Sequence, residues 1–293
     1  MDRNLQARLQ EMAIEQAESY VNRPEFQEPP VNPALVAETE SPLLIVRSGN
    51  YRNLFDGQLE YHPGKNRFLL FYNTKYDDPL SRSEHPRTRF SFAHELGHYF
   101  IERHRSHLLL GGSTHGSKSE FFTGMLVERE ADSFAAGLLM PSRLMRREVN
   151  SGELTLRRLG AIATAFNTSL VSTSIRSVQL SDFPCAVVGI RNARVAWSFL
   201  SPAFKAAGCY PLEAGDHLPS SARRIWDQLT TAPRPRYGQD GLLHEWFRTY
   251  DREQLVNMLV YVDARWVATM ETLVVLVTAD ESDLACDADE EDA

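Results

Sequence analysis

His94-Glu95-Leu96-Gly97-His98 puts two imidazoles and one carboxylate on adjoining faces of a single helix. His94 and His98 are four residues apart, so their rings line one helix face and can share a metal ion. Glu95 lies about 100° round the helix from His94, within reach of a water on that ion without ligating it. Two ligands and a general base at this spacing form the H-E-x-x-H pattern of zinc-assisted hydrolysis. Upstream, His85 to Ala93 reads as the first turns of the helix, with Ser83 as cap and Pro86 in the opening turn. Phe90, Ala93, Gly97 and Phe100 recur at spacings of three and four, a buried stripe beside the ligands. Gly97 costs about 1 kcal/mol relative to alanine in a helix interior, and close approach of another backbone is the reason to keep it.

A metal held by two histidines needs a third protein ligand and an open position for water. The best source is Glu128-Arg129-Glu130-Ala131-Asp132, within a second helical stretch expected from Phe121 to Leu139. Glu128 and Asp132 share a face, whereas Glu130 points about 200° away from Glu128, so only one of the two glutamates can look at the metal. Glu128 is therefore expected as third ligand to Zn²⁺. Asp132 is expected to accept an N–H from a ligand histidine and fix its tautomer. Glu130 is expected as a solvated charge, and Ala131 and Ala135 as the small residues that let this helix pack against Gly97.

The run Arg89 to Tyr99 around the H-E-L-G-H motif, with Glu128 to Pro141 downstream, resembles the ImmA/IrrE family of metallopeptidases. Members carry H-E-L-G-H and then an E-x-E-A-N/D-x-F-A-x-x-L-L-M-P segment, in this order and at about this distance. The resemblance covers residues 87–141. It implies a bacterial or phage-related cytoplasmic zinc endopeptidase whose protein substrate is a helix-turn-helix transcriptional repressor in stress-response or mobile-element control.

At 293 residues, with 43% hydrophobic and 24% charged residues, the chain is long for one core and ordinary for a soluble protein. The first residues lack the apolar region of a secretory signal, and runs such as Thr272 to Val277 are too short to span a bilayer, so no membrane association is expected. Cys185, Cys209 and Cys286 have no metal-binding spacing and read as reduced thiols. The net charge of −8 comes from the tail, 279–293, which holds eight acidic residues and no basic one. Without those eight, 31 acidic residues face 31 basic ones, so the tail is expected to be a disordered solubilising segment.

The fold class expected is α+β. A small zincin-like peptidase domain takes 1–141, a helical helix-turn-helix-like module 142–181, and an α+β regulatory domain 182–278, ahead of the tail. In the first domain, residues 3–21 read as a helix with Leu5, Leu9, Met12, Ala13 and Tyr20 on its apolar side. Leu43–Arg47, Gln58–Tyr61 and Arg67–Tyr72 read as strands, the last two joined by the turn signal Pro63-Gly64-Lys65-Asn66. One of those two would hold an extended substrate by backbone pairing. Arg105–Glu120 reads as a long polar loop whose His107 and His115, like His104 just before it, are free surface histidines. No deep specificity pocket is evident.

In the second module, Arg143–Val149, Leu154–Phe166 and Ser169–Val178 read as short helices. With five arginines nearby they raise DNA binding as a possibility, but the third helix has one basic residue, and a packing role is favoured. Beyond Asp182, strands are expected at Cys185–Ile190, Val195–Leu200, Leu242–Phe247 and Thr272–Thr278. Leu255–Val262 is left between strand and helix, and Ser201–Gly241 reads as irregular. By position this region is similar to the GAF-like sensor domain of radiation-response family members, with no ligand-binding signature of its own. The competing readings are a DNA- or partner-binding regulator with a non-proteolytic zinc fold, and a metal-dependent sensor that binds without cutting. The presence of Glu95 argues against the first, because a purely structural site needs no base, and leaves the second open.

Overall fold

The computed structural model describes residues 3–81, 83–111, 126–218, 220–231, 237–249, 255 and 257–280. The fold is α+β, and the chain divides into two compact units: 1–144 with 163–169, and 145–162 with 170–293. The helices of 142–181 are therefore shared between the two units and do not form a third. Of the expected elements, residues 112–125 of the loop and second helix, with His115, lie outside the described residues, as do Cys286 and all but the first two residues of the acidic tail.

The first unit opens with helix α1 (Arg3–Val21) and the short α2 (Pro33–Glu38), and continues through strands β1 (Leu44–Gly49), β2 (Gly57–His62) and β3 (Arg67–Asn73). β3 lies in the middle of this sheet, parallel to β1 and antiparallel to β2. The β2–β3 hairpin closes through a 3₁₀ turn at Pro63–Lys65 and Asn66, whose φ of 46° is the left-handed conformation asparagine tolerates well. Three further helices belong to this unit: α3 (Pro86–Phe100), α4 (Glu102–Leu109) and α5 (Leu126–Leu139).

α3 is buried from Thr88 to Phe100, more completely than an amphipathic stripe would require. It meets the sheet through Phe92, stacked on Tyr72 with ring centroids 4.6 Å apart, and through Tyr99, edge-on to Phe68 at 5.2 Å. It meets α5 through Phe100, stacked on Phe134 at 5.8 Å, and through Gly97. A Cβ at Gly97 would stand 3.1 Å from the Ala131 Cα and from the Phe134 Cβ, so the two helices approach where only hydrogen fits. Each large apolar side chain buried here contributes about 1.5–3 kcal/mol. The N-cap is His85, whose Nδ1 accepts the Arg87 N–H at 3.1 Å, and not Ser83. Pro86 at the first helical position sets the start two residues later than Ser83 would.

α1 departs from its expected face. Its buried residues are Ala13, Ala17 and Val21, while Leu5 and Met12 are about half exposed, at 47% and 52%. The reason is α5: a Cβ on Gly137 would lie 2.9 Å from the Ile14 carbonyl and 3.3 Å from the Ala17 Cβ. Helices this close select small residues for their contact and turn larger ones outward.

In the second unit, the chain contributes much of α6 (Ser142–Val149) and α7 (Leu156–Phe166), then α8 (Leu170–Leu180). A five-stranded antiparallel sheet follows, in the order β5-β4-β10-β9-β7, from β4 (Cys185–Arg191), β5 (Arg194–Leu200), β7 (Tyr237–Leu242), β9 (Leu259–Val267) and β10 (Thr272–Thr278). β4 and β10 run through its centre, as their unbroken apolar sequences suggest. One face packs Val188, Val262 and Val275 against Phe204, Ile225 and Trp246. Asp263, buried on β9, accepts the Leu156 N–H at 2.9 Å and so caps α7.

Two expectations here are corrected. Ser201–Gly241 is not irregular: it carries α9 (Pro202–Ala206), β6 (Cys209–Tyr210), α10 (Ser220–Thr231) and β7. Leu242–Phe247 is not a strand, because β7 ends at Leu242 and a 3₁₀ turn at Leu243–Glu245 delivers Leu243, Trp246 and Phe247 to the core. An apolar run can be buried by a turn as well as by a strand, and its composition alone does not tell them apart. Of the ambiguous Leu255–Val262, the part from Leu259 onward is the start of β9.

Asp56, 2% exposed, clamps the start of β2 to the start of α3. Its carboxylate pairs with Lys75 at 2.8 Å and Arg87 at 2.7 Å and accepts the Tyr76 hydroxyl at 3.1 Å. Burial alone would raise its pKa; hydrogen bonds and charge from Lys75 and Arg87 outweigh that and lower it. The clamp's stability is thus present above the unfolded carboxylate pKa of about 3.9 and is lost as pH falls through the lower folded value. Asp56→Asn is expected to cost about 1–3 kcal/mol at pH 7, less than a fully buried pair because the Arg87 side chain is 43% exposed. Urea unfolding of the metal-free protein should show that difference shrinking below about pH 4.

Candidate metal centre

Helical periodicity places His94 over His98 on α3, and the Gly97 contact brings the first turn of α5 alongside. His94 Nε2 stands 3.0 Å from His98 Nε2 and 3.3 Å from a Glu128 oxygen, and His98 Nε2 is 3.7 Å from the other Glu128 oxygen. Among the described residues, these three form the cluster whose donor atoms all lie within 4.8 Å of one another. The three side chains are buried, at 3%, 6% and 7% exposure.

The arrangement fits a zinc ion. Tetrahedral bonds of about 2.0–2.2 Å separate neighbouring donors by about 3.3–3.6 Å, close to the spacings seen. Each histidine has its Nδ1 engaged behind it, which leaves Nε2 for the shared space. His94 Nδ1 is 2.9 Å from Asp132 Oδ1, so the residue expected to orient a ligand is hydrogen-bonded to one. Burial would lower the His94 pKa, but hydrogen bonds to Asp132 and Glu128, with the Glu95 charge nearby, raise it to about 10. The surroundings of this ring are strongly anionic, and two imidazoles crowded with carboxylates away from water call for a cation.

Glu95 is 1% exposed and lines a cavity of about 330 Å³ beside His98. Leu59 of β2, His107 and Leu108 of α4, and Val127 of α5 also line it, so a substantial pocket exists where none was expected. Gly57, the residue after the Asp56 clamp, makes room for the base: a Cβ there would fall 2.6 Å from the Glu95 Cγ. Among the described residues β2 pairs only with β3, so of the two candidate strands it has an open edge, whereas β3 is paired on both sides.

Two sequence readings fail here for one reason. His104 is buried, not a surface histidine, and Glu130 is 0% exposed, not solvated. Ile101, in extended conformation at φ −71° and ψ 109°, ends α3 and starts α4, folding the chain back. Part of the expected loop is thus helix α4. His104 Nδ1 comes 3.2 Å from His98 Nδ1, and His104 Nε2 lies 3.0 Å from Glu130 Oε2, which also accepts the Arg103 Nε–H at 3.0 Å. In a continuous helix, residues six apart sit about 240° apart and cannot touch, so spacing conceals this contact. The alternating acids Glu128, Glu130 and Asp132 were the only available signal. The third helix of the 142–181 stretch, for which a packing role was favoured over DNA binding, is α8, which buries Val171 to Ser174 and Arg176 to Val178 and packs on β4 and β5.

Glu128→Ala is expected to weaken zinc binding by several orders of magnitude, and Asp132→Ala by about 10–100-fold, in chelator competition. Gly57→Ala should leave zinc affinity unchanged yet lower kcat by about 10–100-fold, because displacing Glu95 misaligns the base. Loss of zinc in Gly57→Ala would mean that the glycine shapes the metal donors instead.

Residues 80–177 match the sequence profile of the Peptidase M78 family, described as the IrrE N-terminal-like domain. No curated protein sequence matches the chain. Among solved structures, a Mycobacterium tuberculosis transcriptional regulator is similar over 94% of this chain and 77% of its own, with a TM-score of 0.55 and 12% identity. At that identity the likeness is one of fold. The profile match begins just before α3 and runs through α5 into α8, enclosing the His94, His98 and Glu128 cluster, so residues 80–177 are similar to an IrrE N-terminal-like domain.

Proposed function

We infer that the protein is a zinc-dependent endopeptidase that cuts a helix-turn-helix transcriptional repressor at one or a few bonds. The observation that carries the peptidase reading is the buried Glu95 between a His-His-Glu donor set and a cavity flanked by a free-edged strand. A structural zinc site closes its fourth position and has no use for a base there. The repressor as substrate rests on the family resemblance alone.

Zinc bound by His94, His98 and Glu128 would supply Lewis-acid polarisation of water and of the scissile carbonyl. Glu95 takes the proton of the attacking water and delivers it to the leaving amine, a role worth about 10²–10⁴-fold in rate. β2 offers its free edge to the backbone of an extended substrate, and the adjoining cavity, with Leu59, Leu108 and Val127 in its wall, accepts an apolar side chain near the cut. Asp132 holds the His94 ring in place through both steps. The mycobacterial neighbour, a transcriptional regulator, favours a second reading, in which this protein regulates by binding without cutting.

One substitution separates the two. Glu95→Gln should keep its zinc and lose cleavage of helix-turn-helix repressors encoded beside it, followed by mass spectrometry of the fragments. Casein should be digested poorly by the wild-type protein. Rapid casein digestion would sink the repressor-specific reading, and full regulatory activity of Glu95→Gln in cells would establish the non-cutting one.

A further inference from the structure

We propose that His104, backed by Glu130, is a positioning residue that sets the proton and the aim of the His98 ring. The proposal rests on the zinc reading above and extends it to a pair of residues outside the donor set. The hydrogen bonds leave little freedom. Glu130 is fully buried and, as a carboxylate, only accepts, so His104 Nε2, 3.0 Å away, carries a proton and donates it. A metal on His98 Nε2 requires that nitrogen bare, which leaves His104 Nδ1 as the acceptor of the pair. His98 Nδ1, 3.2 Å from it, must therefore be the donor, and His98 Nε2 is left unprotonated where it faces His94 and Glu128. Any other placement of these protons sets two donors or two lone pairs against each other, or blocks the nitrogen that faces Glu128.

Both metal-facing histidines are thus oriented from the same short stretch of α5. Asp132 holds His94 directly, and Glu130, two residues earlier and on the opposite side of the helix, holds His98 through an imidazole spacer. His104 stands between the two, with Nδ1 3.2 Å from His98 and Nε2 3.0 Å from Glu130. Arg103 pairs with Glu130 through Nε and Nη2, so that carboxylate is not left as a lone buried charge.

The test compares zinc affinity, the absorption spectrum of the cobalt-substituted protein, and melting of the metal-free chain. His104→Phe keeps ring volume and removes the acceptor; it should weaken zinc binding by about 10–100-fold and alter the cobalt spectrum, with little change in metal-free melting. His104→Gln can accept from His98 and donate to Glu130, and should restore most of both. Zinc bound equally well by wild type and His104→Phe, with the same cobalt spectrum, overturns the proposal, as does a His104→Gln no better than His104→Phe. Failure of the wild type to bind zinc would instead overturn the metal reading beneath it. Should His104→Phe not fold, imidazole ¹⁵N shifts of the zinc-loaded wild type decide: protons on His98 Nδ1 and His104 Nε2 support the relay, and a proton on either opposite nitrogen refutes it.

Discussion

The contact between Gly97 and the backbone of Ala131 governs the rest of the first unit. It sets the separation of α3 and α5, and that separation decides whether Glu128 can share a space with His94 and His98. A methyl group there would stand about 3.1 Å from the Ala131 Cα, which is backbone and cannot rotate aside. The energetic case is one of packing against chemistry. Glycine costs about 1 kcal/mol in a helix, while the approach it permits buries Phe100 on Phe134 and closes the donor set.

Around that contact the unit is built in reinforcing layers. Asp56 fixes the start of β2 against α3, and the next residue, Gly57, yields its space to Glu95. The same ion pairs that stabilise the fold therefore also fix the backbone that adjoins Glu95. α5 carries carboxylates on two sides, so one helix supplies a metal donor and supports for both histidines. This division explains why three acids within five residues can all be drawn inward: each meets a histidine, and the one most deeply buried also meets an arginine.

The second unit shows a different logic. Its central strands, β4 and β10, are apolar on both faces because the sheet is covered on both, and α8 supplies part of that cover. α8 packs on β4 and β5 with most of its length buried. The cap that Asp263 provides to α7 comes from 107 residues away in the chain.

The local features were legible in the chain. The three strands of the first sheet, its hairpin turn, α1, α3, α7 and β10 follow from periodicity and turn chemistry, because those signals act over a few residues. The spacing of His94, Glu95 and His98 follows likewise from the pitch of one helix, and the phase of Glu128 and Asp132 from the pitch of another. Where the chain misled, the deciding contact was distant. Leu5 and Met12 are apolar yet exposed because Gly137 admits only the small face of α1. Trp246 reaches the core from a turn and not a strand. His104 and Glu130 look like solvated polar residues in isolation, and only the break at Ile101 turns them inward towards each other and His98. A contact made within a helix is written in residue spacing, whereas one made by reversing the chain depends on where the next helix finds room to pack.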